Sequence, residues 1–247
     1  MPRLGTRKLY YLLFDKLSEM KIGRDKFFDI LRANNLLIPP KRSYHITTNS
    51  HHRFRKHQNR ILDLKINRPE QVWVSDITYI GKREKPCYLS IVTDAYSKKI
   101  MGYYVADNMN TESSIRALEM AVKQRKNREM PLIHHSDRGL QYCANQYQDF
   151  LRKNKICCSM TQNSDPYENA VAERINGILK QEFMIDKYNK DLNIMKQVVK
   201  EAINIYNRQR PHFSNYMLTP NQMHLQSLIK MKTYKTKNSS KHLLTTA

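Results

Sequence analysis

The order in which hydrophobic periodicity changes after residue 70 constrains the fold more than any other feature. Residues 71–80, QVWVSDITYI, alternate between two faces that are both largely apolar, which predicts a strand buried on both sides. Two further strand patterns follow across polar turns and predict an antiparallel meander. The order β-β-β-α-β-α-β-α then predicts an α/β fold, a mixed five-stranded sheet flanked by helices. The segments are CYLSIVTDAY, IMGYYVAD, TESSIRALEMAVKQRKN, PLIHHSD, NQYQDFLRKN, ICCSMT and SDPYENAVAERINGILK.

Two helical patterns precede the sheet, and we expect residues 1–38 to form a helix-turn-helix DNA-binding region. The second pattern begins with Arg24 and Lys26 after the turn at Ile22 and Gly23, as a recognition helix would. A small helical hairpin with no DNA-binding role is the alternative. The apolar face of the first pattern is predicted to be Leu9, Leu12, Leu13, Leu17 and Met20.

The rest of the chain divides by composition. We expect a basic linker at 39–69, a catalytic core at 70–185, a helical extension at 186–228 and a basic, disordered tail at 229–247. The extension contains an amphipathic helix, LNIMKQVVKEAINIYNRQR, that Pro211 ends. Zinc binding by His45, His51, His52 and His57 is disfavoured, because no cysteine pair at ligand spacing accompanies them.

The charge balance points to a polyanion as partner. The chain has 43 Lys and Arg against 22 Asp and Glu, a formal net charge of +21. No apolar run approaches the roughly 18 residues of a membrane span, so we expect a soluble, intracellular protein. The four cysteines contain no C-x-x-C pair, which favours reduced thiols over disulfides or a zinc site.

Three acidic residues come from separate elements that should meet at one edge of the sheet. Asp76 lies within the first strand, and Asp137 follows the fourth. Glu173 lies on the helix expected beside that edge, where α/β sheets bind ligands. Taken one at a time, each has a structural explanation. Asp76 could be a paired carboxylate of the core, Asp137 could cap a turn, and Glu173 could be a solvated surface residue. Together, three converging anions require a counter-charge, and divalent metal with oxygen ligands supplies it.

The helix that carries Glu173 has two unlike faces. Asn169, Glu173, Asn176 and Lys180 fall on one side, while Val171, Ile175 and Ile178 fall on the other. A solvated face is the ordinary explanation of such a polar stripe. Ser164 or Asp165 is expected to cap this helix, with Pro166 in its first turn.

The motifs around these acids resemble those of DDE-type insertion-sequence transposases, a family of the retroviral-integrase superfamily. The resemblance rests on WVSDITYI, HSDRGLQY and SDPYENAVAERINGILK, with 35 residues between Asp137 and Glu173. It implies an RNase H-like core in which Asp76, Asp137 and Glu173 are both catalytic residues and metal ligands. It also implies two Mg²⁺ ions, with Mn²⁺ as a substitute, 3′-end cleavage of the element and strand transfer. The family is bacterial, so the resemblance further implies a cytoplasmic, nucleoid-associated protein.

The same resemblance implies DNA contacts. Lys180 matches a basic position that touches DNA near the active site, and Asn169 and Asn176 share its face. The other candidate contacts are His135, Arg138 and Gln141 beside the second acid, Arg208 and Arg210 in the matching YNRQRPH segment, and Arg24 and Lys26.

The implied partners are the terminal inverted repeats of the element and its target DNA, further copies of this chain in a synaptic complex, and an upstream-frame DNA-binding protein or fusion. Two alternatives stay open on the residues alone. One is a non-catalytic basic DNA-binding regulator whose acids are structural. The other is an RNase H-like nuclease that cuts without joining.

Overall fold

The structure, a computed structural model, describes residues 1–39, 57–81, 86–162, 169–187 and 191–225. Most of the predicted linker, including His45, His51 and His52, lies outside these ranges. So do the predicted tail at 229–247 and the expected helix cap at Ser164 or Asp165 with Pro166.

The five predicted strands form one mixed sheet in the order β3-β2-β1-β4-β5, which confirms the predicted fold class. The first three strands are antiparallel neighbours, whereas β4 and β5, each reached through a helical connection, run parallel to β1. This arrangement places β1 at the centre of the sheet. The strands are β1 (Val72–Ile80), β2 (Cys87–Asp94), β3 (Ile100–Ala106), β4 (Leu132–Ser136) and β5 (Ile156–Met160).

Nine helices accompany these strands in the described ranges. They are α1 (Thr6–Leu12), α2 (Phe14–Glu19), α3 (Arg24–Ala33), α4 (Thr111–Gln124), α5 (Leu140–Cys143), α6 (Asn145–Lys153), α7 (Ala170–Glu182), α8 (Leu192–Gln209) and α9 (Pro220–Leu225). Two short 3-10 helices lie at Ile185–Lys187 and Phe213–Asn215.

Hydrophobic cores on both faces of the sheet explain why its strands are apolar on both sides. One core joins β1, β2 and β3 to α7 and α8, with Ile80, Leu89 and Leu179 fully buried. A second joins Trp73 and Met101 to α4, α5 and α6. Because both faces are covered, a charged side chain in the central strand has to find its partners within the protein or at the strand edge.

The approach of α4 to β3 depends on Gly102. A Cβ atom at this position would lie 2.0 Å from the Ala117 carbonyl oxygen and 2.7 Å from the Ala121 nitrogen. No side chain fits there without moving the helix, so glycine sets how closely α4 packs on the sheet.

The N-terminal region contains three short helices, where the sequence predicted two. Their own small core is built from Tyr10, Leu17, Phe27 and Leu31. The predicted apolar face is wrong at two positions, because Leu12 and Met20 are 46% and 69% exposed. The break at Leu13 between α1 and α2 changes the helical phase, so Tyr10 takes the buried position. A DNA-binding role for this region stays a prediction.

A buried ion cluster ties the N-terminal helices to the core. Glu182, at the end of α7, accepts hydrogen bonds from Lys8 at 3.0 Å and from Arg210 at 2.6 and 2.7 Å. The side chain of Arg210 is 1% exposed. The prediction that Arg210 contacts DNA is therefore wrong, since its guanidinium is enclosed and held by Glu182.

The C-terminal extension closes over the β2–β3 turn. His224 on α9 lies 3.6 Å from Glu70 and 3.8 Å from Asp94, and all three residues are buried. Ser97 hydrogen bonds to both His224 and Asp94. No helix within the described ranges is long and apolar enough to cross a membrane.

Candidate active site

Asp76 is placed at the middle of the central strand. Its two neighbours in the sheet are β2, where Ile91 lies opposite it, and β4. The carboxylate accepts a hydrogen bond from the Asn176 amide at 2.7 Å and one from the Ile77 backbone N–H at 2.9 Å. Asp76 is partly buried, and these two donors fix the direction of its carboxylate.

Asp137 follows directly on β4, as predicted. Because β4 runs parallel to β1 with Ser136 opposite Ser75, Asp137 lies beside Asp76 at the point where β4 ends and β1 continues. The Gly139 backbone N–H donates to the Asp137 Oδ1 atom at 3.0 Å. The tight turn after β4 therefore orients the second acid.

Glu173 lies in the first turn of α7, and this helix packs against β1. The apolar face that we predicted is buried, with Ile175 at 1% and Ile178 at 5% exposure. Glu173 itself is exposed and forms no ion pair with any residue in the described ranges. The apolar side of α7 therefore anchors the helix in the core, while its polar side carries the third carboxylate.

The three carboxylates share one electrostatic environment. Burial raises the pKa of Asp76 to about 7, and the negative charge of Asp137 adds to this, while hydrogen bonds from Asn176 and Ile77 act in the opposite direction. Glu173 raises the Asp76 pKa further. The pKa of Glu173 is itself raised, by the partial desolvation of its carboxyl and then by Asp137. The other two acids therefore raise the pKa of Asp76, and Asp137 raises the pKa of Glu173, as expected of a site that gathers negative charge.

The donor chemistry of this site suits a hard divalent cation, because carboxylate oxygens are the ligands that Mg²⁺ prefers. Within the described parts of the chain, no group of three or more His, Cys, Asp and Glu side chains is already arranged to hold a metal ion. Both Asp137 and Glu173 raise the pKa of Asp76, Asp137 more strongly. The residues fit a metal that is held by these carboxylates.

Lys180 lies two turns after Glu173 on α7, with its ammonium 4.2 Å from the centre of the Tyr79 ring. Tyr79 is 42% exposed, so this cation–π pair stands at the surface of the site. The predicted DNA contact of Lys180 is untested and stays a prediction. The sequence-based prediction did not include Tyr79, although its position in DITYI, three residues after Asp76 on the same strand, indicates that it lies near the site.

The two asparagines of the polar face make contacts inside the protein. Asn176 is 5% exposed and donates to Asp76, and Asn169 is 6% exposed and donates to the Ser75 carbonyl at 3.3 Å. Both residues therefore brace β1 against α7, and the predicted phosphate or sugar contacts find no support.

The three residues predicted beside Asp137 occupy different positions. His135 is fully buried, with Nδ1 2.8 Å from the Ser159 hydroxyl, so it does not line a substrate path and that prediction is wrong. Arg138 donates to the Thr161 carbonyl at 2.5 Å, and Gln141 donates to the Met109 carbonyl at 2.9 Å. Both of these are only partly buried and remain at the edge of the site.

The remaining predicted DNA contacts lie away from the three acids. Arg24, Lys26 and Arg208 are exposed, and Arg24 pairs with Asp25 at 2.9 Å on α3. Their exposure is compatible with the prediction, which no observation here tests.

Comparisons with known proteins agree with this geometry. Residues 66–166 match one integrase core domain family, and residues 154–220 match a second family of the same description. The chain is 34% identical over 210 residues to an insertion element IS600 protein of Shigella sonnei, covering 84% of this chain and 76% of that one. It is also 34% identical to the transposase InsF for insertion sequence IS3fB of Escherichia coli, covering 67% of this chain and 58% of that one.

A solved structure shares the fold. The catalytic core domain of HTLV-2 integrase, in complex with magnesium, superimposes with a TM-score of 0.50 and 19% identity. The match covers 64% of this chain and 97% of that domain, which supports the RNase H-like core. The chain therefore belongs to the insertion-sequence transposases of the retroviral-integrase superfamily, and it carries their polynucleotidyl-transferase core domain.

Proposed function

We propose that this transposase performs Mg²⁺-dependent 3′-end cleavage and strand transfer of an insertion-sequence element, with Asp76, Asp137 and Glu173 as its catalytic acids. The observation that supports the proposal most is the register of β1 and β4, which has Ser136 opposite Ser75 so that Asp137 follows beside Asp76, while α7, which carries Glu173, packs against β1. Two Mg²⁺ ions, when bound, would activate the attacking oxygen and stabilise the leaving one, and Mn²⁺ has the same preference for oxygen ligands.

The protein supplies position and charge. Asp76 on β1 and Asp137 after β4 would hold the metal, and Glu173 would complete the site from α7. Asn176 orients the Asp76 carboxylate through its 2.7 Å hydrogen bond. Lys180, held against Tyr79, would neutralise a phosphate beside the scissile bond. The magnesium in the HTLV-2 integrase core, a protein of the same fold, supports the choice of metal.

The partners that we propose are the terminal inverted repeats of the element and its target DNA. The net charge of +21 supports a polyanionic partner. Strand transfer joins two element ends to one target, which further copies of this chain in a synaptic complex would accomplish, with an upstream-frame protein or fusion as an additional DNA-binding partner.

The test uses labelled oligonucleotides that carry the ends of the element. The Asp76→Asn variant should lose cleavage and joining in Mg²⁺ while it keeps DNA binding. The matched control is Asp63→Asn, since Asp63 is an exposed aspartate that belongs to none of the three proposed catalytic positions. Undiminished joining by the Asp76 variant would refute the proposal. Binding that depends on salt but on none of the acids would support a DNA-binding regulator, and cleavage without joined product would support a nuclease.

A further inference from the structure

A buried polar cluster lies next to the active site, on the face of the sheet that α6 covers. It consists of Ser75 on β1, His134 on β4 and Tyr147 on α6, and we call it the His134 cluster. The His134 Nε2 atom lies 2.7 Å from the Ser75 hydroxyl and 2.9 Å from the Tyr147 hydroxyl. All three residues are at most 2% exposed.

We propose that the residues of the His134 cluster are positioning residues, which hold Asp76 and Asp137 at the separation that a shared metal ion requires. This inference rests on the proposed function, because it takes these two acids as metal ligands.

The His134 cluster joins the two strands immediately before the pair of acids. Ser75 directly precedes Asp76, and successive strand residues face opposite sides of the sheet. The Ser75 side chain therefore turns to α6, whereas Asp76 turns to α7 and bonds Asn176. His134 lies three residues before Asp137. A movement of β4 relative to β1 would break the bond between Ser75 and His134, and it would also change the distance between the two acids.

A second set of hydrogen bonds joins α6 to the other acid. Gln148, next to Tyr147 on α6, donates from Nε2 to the Tyr142 carbonyl at 2.7 Å. The Tyr142 N–H donates to the Gly139 carbonyl at 3.1 Å, and the Gly139 N–H donates to Asp137 at 3.0 Å. Helix α6 is therefore linked to β1 through Tyr147 and to Asp137 through Gln148.

Two ionised acids that lie close together need such support. Asp76 and Asp137 repel each other, as the effect of Asp137 on the Asp76 pKa shows. The His134 cluster resists this repulsion without adding charge, because burial lowers the pKa of His134 to about 3 and keeps its imidazole neutral. Buried polar groups that are hydrogen-bonded to one another favour a single arrangement of the elements that carry them.

Tyr142 provides a matched control within the same core. Its ring centre lies 5.3 Å from that of Tyr147, and it is 2% exposed. Its hydroxyl has no hydrogen-bond partner among the residues that the structure describes. Removing the Tyr142 hydroxyl should therefore leave both acids in place, whereas removing the Tyr147 hydroxyl takes α6 out of the His134 cluster.

The experiment measures equilibrium binding of Mn²⁺ to the full chain by electron paramagnetic resonance. Tyr147→Phe should raise the Kd for Mn²⁺ about tenfold, the lower end of what outer-shell partners of metal ligands contribute. Tyr142→Phe should leave it unchanged. Ser75→Ala removes the same connection from the side of the strand and should also weaken binding. Because both changes act through His134, the double variant should lose less affinity than the product of the two single effects.

Urea unfolding of each variant separates positioning from stability. A merely structural role would lower the unfolding free energy of Tyr147→Phe and leave its Kd for Mn²⁺ as in the wild type, which would overturn the inference. An equal rise in Kd in the two tyrosine variants would overturn it as well. Asp137→Asn distinguishes the two levels of the account. If wild-type binding does not depend on Asp137, the proposed function and this inference both fail, but if it does and Tyr147→Phe binds normally, only the positioning role fails.

Discussion

Replacing Glu182 with Gln should destabilise the protein far more than the loss of an ordinary ion pair. The substitution leaves Arg210, whose side chain is 1% exposed, and Lys8, at 9%, without a counter-charge. Removing one partner of a buried pair costs about 3–5 kcal/mol of unfolding free energy. For a chain of this size each kcal/mol lowers the melting temperature by about 2–4 °C, so we expect a decrease of about 6–20 °C.

The measurement is urea and thermal unfolding of the Glu182→Gln variant beside a Glu112→Gln control. Glu112 pairs with Arg116 at 3.0 Å on α4, but these side chains are 61% and 52% exposed. Exposed i,i+4 pairs contribute only about 0.3–0.5 kcal/mol. If the two variants lose similar stability, the buried cluster does not join the N-terminal helices to the core as described.

The stabilisation by Glu182 should also depend on pH. Burial alone would raise the pKa of its carboxyl, but the hydrogen bonds and charges of Arg210 and Lys8 outweigh it and hold the pKa below its usual value of 4.5. A lowered pKa stabilises the folded state above pH 4.5 and loses that contribution as pH falls through the folded-state value. The difference in unfolding free energy between the wild type and Glu182→Gln should therefore become smaller in acid. A difference that does not change with pH would contradict the ion cluster.

Three further predictions concern the active site and the C-terminal extension. Asn176→Ala should lower kcat for joining about 10- to 100-fold with little change in KM for DNA, because Asp76 loses its orienting hydrogen bond; an unchanged kcat would contradict this. Tyr79→Leu should weaken DNA binding about 2- to 5-fold by releasing Lys180, and Tyr79→Phe should restore it, as anisotropy would show. The buried carboxylates of Asp94 and Glu70, 3.8 and 3.6 Å away, raise the pKa of His224 above 6.5 despite its burial. His224→Gln should therefore destabilise the protein most below pH 6.5, and urea unfolding should show the loss in unfolding free energy shrinking as pH rises.

The sheet was predictable because its signals are local. Each strand has a period of two, and the helical connections before β4 and β5 require both strands to run parallel to β1. The proximity of Asp76 and Asp137 follows from that pairing, since the residues after Ser75 and Ser136 lie next to each other where β4 ends. The partial burial of Asp76 also follows, because the central strand is apolar on both faces.

The errors arose where a distant contact decides the outcome. Nothing near Arg210 in the sequence shows that Glu182, 28 residues away, encloses its guanidinium. His135 adjoins the site in sequence, but it lies within β4 and is buried with Ser159 of β5. Asn176 has the spacing of a DNA contact, yet its amide turns to Asp76. Polar residues on a helix face do not reveal whether their partner is DNA or the neighbouring strand.

The most direct test of the central claim is to locate bound metal. Crystals grown with Mn²⁺ should show an anomalous scattering peak in contact with the Asp76 and Asp137 carboxylates, and the Asp137→Asn variant should lose it. If Mn²⁺ binds elsewhere, or leaves these two carboxylates without metal when the ion is saturating, then the three acids are not a metal-dependent catalytic site.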